Sequence, residues 1–138
     1  IKGIDSFHDD SGGKERGKNT IYVVEAENMR MCHMGDFGQK ELTNDQLEKI
    51  GSIDILMIPV GGTYTISSSE ASKIIGQLEP KIVIPMHYLI PKLNIKLDEV
   101  GKFLKAMGKN SIEPQEKLTV KSGSMPKEGE TEVIVLKP

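Results

Sequence analysis

Ile53-Asp54-Ile55-Leu56-Met57-Ile58-Pro59-Val60 is a nearly continuous apolar run, and Lys81-Ile82-Val83-Ile84-Pro85-Met86 is a second. Short apolar runs with almost no polar alternation belong to strands covered on both faces. Between them Ser67 and Glu70 have the spacing of a capping box, opening a helix through Leu78 that Pro80 terminates. The segment is a β-α-β unit, which commits the chain to the α/β class.

Working outward, Ile21–Val24 and Met29–Met34 favour strands, and the short polar Glu25-Ala26-Glu27-Asn28 between them suits a hairpin. Lys2–Phe7 is a further strand, separated from the hairpin by the polar, glycine-rich loop Asp9–Asn19. Thr43 and Gln46 form another capping box, Leu42 and Leu47 can staple it, and Gly51 supplies the stop of a short helix. Downstream, Leu97, Val100, Leu104 and Met107 predict a third helix ended by Gly108. Leu118–Lys121 and Glu132–Leu136 predict two terminal strands around the loop Ser122–Glu130.

The 138 residues suit one domain; 37% are hydrophobic, 28% charged and 4% aromatic, a globular composition. Eighteen Lys plus Arg against 20 Asp plus Glu give a net charge of -2 with no basic stripe, which argues against nucleic acid as the main partner. The single cysteine, Cys32, cannot close an internal disulfide, so a reducing compartment and a cytoplasmic location are expected. No apolar run is long enough to cross a bilayer as a helix, so no membrane partner is expected. The chain begins at Ile1 and runs almost at once into a strand, which raises the expectation of a preceding segment.

Two of three histidines, His8 and His87, directly follow strand-like segments, and Asp36 follows Met29–Met34. Ligands of open α/β sheets collect at the carboxyl ends of strands. His8, Asp36 and His87 can therefore converge on one rim, and imidazole with carboxylate is a donor set that zinc, iron and manganese accept. Taken singly, each is more often a hydrogen-bonded strand end or, for Asp36, a turn former. His33 sits on the strand before Asp36 and is read as a structural residue or an orienter behind the ligands. Gly61-Gly62-Thr63-Tyr64-Thr65 leaves its strand through a glycine pair suited to close backbone approach and then presents two hydroxyls and a phenol. Its alternative is a plain strand-to-helix turn. Arg16 or Lys14 can face an anionic substrate, or the loop carrying them can simply be solvated. No Gly-Lys-Ser/Thr opens a helix, so this is not a P-loop.

Five motifs occur in order: Ser6-Phe7-His8-Asp9, Arg16-Gly17-Lys18-Asn19-Thr20, Cys32-His33-Met34-Gly35-Asp36, Ile58-Pro59-Val60-Gly61-Gly62-Thr63-Tyr64-Thr65 and Ile84-Pro85-Met86-His87-Tyr88. This set resembles the metallo-β-lactamase superfamily, in the branch of metal-dependent hydrolases similar to L-ascorbate-6-phosphate lactonase. The resemblance implies that His8 binds the first metal, Asp36 bridges two metals and His87 binds the second. It makes Asp36 and His87 catalytic, with water activated at a zinc-type dinuclear centre; the reading of the two loops adds Thr63, Tyr64 and Arg16 as substrate-binding candidates. The implied cofactor is a divalent metal, zinc foremost, with manganese or iron as alternatives.

The implied fold is the C-terminal half of an αβ/βα sandwich, a mixed sheet with helices on one face. Residues 1–138 would be a single half-domain, because no two histidines have the spacing of the family's His-x-His-x-Asp-His motif. The resulting expectation is a hydrolase half acting on a small-molecule substrate but not competent alone, paired with an N-terminal half or with itself as a homodimer. The competing expectations are a non-catalytic, self-associating half-domain and a plain α/β interaction module.

Overall fold

A turn of only two residues, Glu27 and Asn28, joins β2 (Lys18–Ala26) to β3 (Met29–His33), and both have positive φ, 51° and 59°. Two left-handed residues make the primed turn whose twist matches antiparallel strands. β1 (Lys2–Phe7) pairs antiparallel with β2, so the first three strands form a meander. From β3 onward every pairing is parallel: β4 (Ile55–Pro59), β5 (Ile82–Met86) and β6 (Glu132–Val133) complete a six-stranded sheet in chain order. This computed structural model describes residues 1–138.

Both expected capping boxes form. Thr43 caps α1 (Asn44–Ile50) through Gln46, and Gly51 ends it with φ 66°. Ser67 caps α2 (Ser68–Leu78) through Glu70. The third helix is shorter than its apolar spacing predicts, because the amide of Asp98 donates to the Gly61 carbonyl and its own carbonyl accepts from Leu89. Those bonds hold the chain at Asp98 in a loop, so α3 spans Val100–Ala106 with Leu97 buried just ahead of it.

Strand alternation divides the apolar residues between two faces. Cys32, Leu56, Ile58, Val83, Val133 and Val135 join Ile50, Ile74, Leu78, Phe103 and Leu104 in one core of 22 buried residues, which places the three helices on one face. Ile55, Ile82 and Ile134 look the other way, flanked within the sheet by Met31, Ile84 and Leu136 and packed against Leu118, Val120 and Met125. The expected strand Leu118–Lys121 is absent. The edge beyond β6 is met by Gln115, which pairs with Leu136, and Leu118 and Val120 serve as a partial cover for the second face instead. Burial of the Cys32 thiol pushes its pKa up to about 12, so it is an inert core group.

Candidate functional site

Three loops meet at the carboxyl ends of the parallel strands. The first leaves β1 at His8, and Asp9 organises it: the Asp9 carboxylate accepts from the backbone amides of Ser11, Gly13, Glu15 and Arg16 at 2.7–3.0 Å. The Arg16 bond is the main cause of a pKa lowered to about 2, against partial desolvation, with the other amides assisting. The loop keeps Lys14, Glu15 and Arg16 exposed while its backbone is wound around one buried anion. The signal was an aspartate directly before a glycine-rich stretch, whose amides can turn inward.

A depressed carboxylate pKa stabilises the fold above the unfolded value near 4, and that contribution is lost as pH falls through about 2. Thermal melts should therefore show the native chain losing more stability between pH 4 and pH 2 than Asp9→Asn, which should already be weaker at pH 7. Equal pH slopes would refute this role of Asp9.

The second loop carries Asp36, fixed by Asn19 on β2. The Asn19 amide nitrogen donates to Ser6 Oγ and to the Met34 carbonyl, both at 2.8 Å, and its oxygen accepts from the Asp36 amide at 3.0 Å. Gly35, at φ 62°, lies so close to Asn19 Oδ1 that a Cβ there would stand 2.5 Å from it. Sequence reading quoted Asn19 within a motif without giving it a role, because it stands among polar neighbours, Lys18 and Thr20, at the end of a polar loop.

The third loop leaves β5 at His87. Thr65 Oγ1 is 3.5 Å from His87 Nδ1, which restrains the ring and leaves Nε2 for an external partner. His87 has φ 51° and Thr63 has φ 62°. Left-handed backbone at non-glycine residues, one of them β-branched, is strain of the kind that concentrates at functional sites. Arg16 bridges the loops: its guanidinium donates to the Thr63 carbonyl at 3.3 Å and lies 5.8 Å from the Tyr64 ring centroid. The three residues expected to bind substrate thus sit together.

His8 and Asp36 are brought into contact, with Nε2 and Oδ2 3.5 Å apart. That is long for a hydrogen bond. It matches the spacing of about 3.4 Å between two donors each about 2.1 Å from one tetrahedral ion. His8 Nδ1 is buried without a partner, so Nε2 is the nitrogen left for an ion. The pair fits two ligands of a metal site. His87 lines the same open cavity as Asp36, with His33, Lys18, Thr20 and Tyr22 along its wall. No three His, Cys, Asp or Glu side chains in the chain are arranged to hold an ion.

Residues 1–87, from β1 to the end of β5, match the family described as a β-lactamase superfamily domain. The chain belongs to this superfamily. Its relatives include a UPF0173 metal-dependent hydrolase from Thermococcus onnurineus, 37% identical over 89 residues, which cover 62% of this chain and 38% of that protein. A second, from Methanocaldococcus jannaschii, is 39% identical over 92 residues, covering 64% of this chain and 41% of the relative. A crystal structure from Thermotoga maritima, assigned as a Zn-dependent hydrolase of the metallo-β-lactamase superfamily, superposes with TM-score 0.75 and 40% identity. That match covers 99% of this chain and 64% of the other. A metal-dependent hydrolase from Parabacteroides distasonis, at 18% identity and TM-score 0.58, shares the fold; the match covers 99% of this chain and 50% of that one. The chain spans about 38% of the length of the curated relatives it matches first. As a member of the superfamily it has the metallo-β-lactamase fold, and its homologues are metal-dependent hydrolases. No helix is long and apolar enough to cross a membrane.

Proposed function

We propose that this chain supplies one half of a metal-dependent hydrolase site, with His8 and Asp36 as ligands of a divalent ion and His87 facing the same cavity for a second. The observation that carries the reading is the 3.5 Å approach of His8 Nε2 to Asp36 Oδ2 beside an open cavity at the strand ends. A bound divalent ion would polarise the scissile centre of a substrate and lower the pKa of water. Asn19 holds Asp36 in place, Thr65 restrains His87, and the exposed cluster of Arg16, Thr63 and Tyr64 offers a cation, a hydroxyl and a phenol to a substrate. Zinc is the first expectation for an imidazole and carboxylate set, with manganese or iron as alternatives. Motif order favours the lactonase-like branch. Metal titration of the chain and its Asp36 and His8 variants tests the assignment.

Two such ligands make a weak site, so the reading includes further ligands from an N-terminal half or a second copy. The open part of the second sheet face supports this. Tyr22, His33, Met57 and Ile84 lie side by side across four strands, and Tyr22 is 48% exposed. The segment Leu118–Met125 covers only the β4–β6 end of that face. Sedimentation at micromolar concentration is expected to show association through this face, weakened by Met57→Glu. A stable monomer that binds no hydrophobic dye would contradict it, and would leave the non-catalytic self-associating alternative equally unsupported.

A further inference from the structure

His33 lies outside the proposed ligand pair yet lines the cavity, and its ring is set by one bond: Nδ1 accepts from the Gly35 amide at 3.1 Å. In the neutral ring the proton must then sit on Nε2, which becomes a donor only. His33 is solvent-exposed, so this donor serves no buried partner. On the same wall Lys18 brings an ammonium that enters none of the chain's ion pairs. Strand alternation puts Lys18, Thr20 and Tyr22 on one side of β2, and Tyr22 pairs with His33. The wall therefore offers a fixed N–H, a hydroxyl and a cation outside any ion pair; the carboxylates beside it are Asp36 and, opposite Thr20 on β1, Asp5.

We propose that this wall recognises an oxyanion on the substrate, a phosphate or a carboxylate, with His33 Nε2–H as the directional donor and Lys18 as the charge. The proposal rests on the hydrolase reading and names the substrate class of that site. It gives His33 a substrate-facing role in place of an orienting one. A charge-assisted bond to His33 fixes the anion's position, whereas Lys18, on a flexible stem, contributes mainly attraction.

The test uses inorganic phosphate and acetate as probes, titrated into Asp36→Asn and followed by the imidazole signals of His33. That background removes the competing carboxylate and one proposed metal ligand, and a chelator in the buffer keeps ions from carrying phosphate into the cavity. Saturable binding in the millimolar range is expected, with His33 as the Nε2–H tautomer. Adding His33→Phe or Lys18→Ala should weaken binding about fivefold or more each, and His33→Gln, which keeps a donor, should retain most of it. Preference for phosphate over acetate would identify a phosphorylated substrate, and the reverse a carboxylate. Non-saturating shifts, or binding indifferent to both positions, would overturn the proposal while leaving the metal assignment to its own titration. Unchanged thermal melts separate a lost donor from a damaged fold.

Discussion

Gly38→Ala is expected to cost more than about 3 kcal/mol, and Gly61→Ala to cost nearly as much. A Cβ on Gly38 would overlap the His8 carbonyl and crowd the Asp9 amide, while one on Gly61 would overlap the His87 carbonyl. These obstructions are backbone, which cannot swing aside as a side chain can. The Gly38 amide also donates to the Phe7 carbonyl at 3.0 Å, and the Gly61 carbonyl accepts from Asp98 at 2.8 Å, so neither segment is free to retreat. Single domains are typically stable by only about 5–15 kcal/mol, so the loss is a large share of the total. Gly101→Ala, on α3 with open space around its Cβ, is the matched control and should be neutral or stabilising by up to about 1 kcal/mol. Urea unfolding of the three variants decides it. Wild-type midpoints for Gly38→Ala and Gly61→Ala would mean that His8 and His87 are not held by these contacts.

Much of this frame was legible in the sequence because the signals were local. The capping boxes at Thr43 and Ser67 and the apolar runs of β4 and β5 depend on neighbours within a few residues, and each formed. Gly61 was read as a point of close approach, and the structure supplies what approaches it, the His87 carbonyl. Gly38 carried no such mark, because its partner lies about 30 residues earlier. The same limit explains the terminal region. Leu118–Lys121 has strand-like residues, but strand pairing needs a free edge, and Gln115 takes the one beside Leu136. The site divides similarly. Their positions after strand-like runs placed His8, Asp36 and His87 at strand ends, whereas the work of Asn19, Asp9 and the His33 tautomer lies in hydrogen bonds that no spacing reveals.

The second large effect concerns metal affinity. Asp36→Ala is expected to lower zinc affinity by about 100-fold or more, and His8→Ala by a similar factor, because each removes one of only two ligands the chain brings together. His33→Ala should cost less than about tenfold, since the ring contacts neither partner of the pair, and outer residues typically account for about 10- to 100-fold at most. Isothermal titration with zinc gives all three ratios. A loss for His33→Ala equal to that of Asp36→Ala would move the ion to the wall of the cavity and reverse the assignment. Asn19→Ala tests the support of Asp36: it should weaken zinc binding by about tenfold while leaving the His8 side unchanged.

The most direct measurement is the position of the ion itself, by anomalous diffraction from crystals of the chain soaked in zinc. The expected result is a single principal site about 2.0–2.2 Å from both His8 Nε2 and Asp36 Oδ2, with His87 across the cavity. An ion bound through His33, or through surface carboxylates such as Glu25 and Glu27 with His8 and Asp36 left bare, would contradict the assignment of this chain as a metal-holding half of a hydrolase.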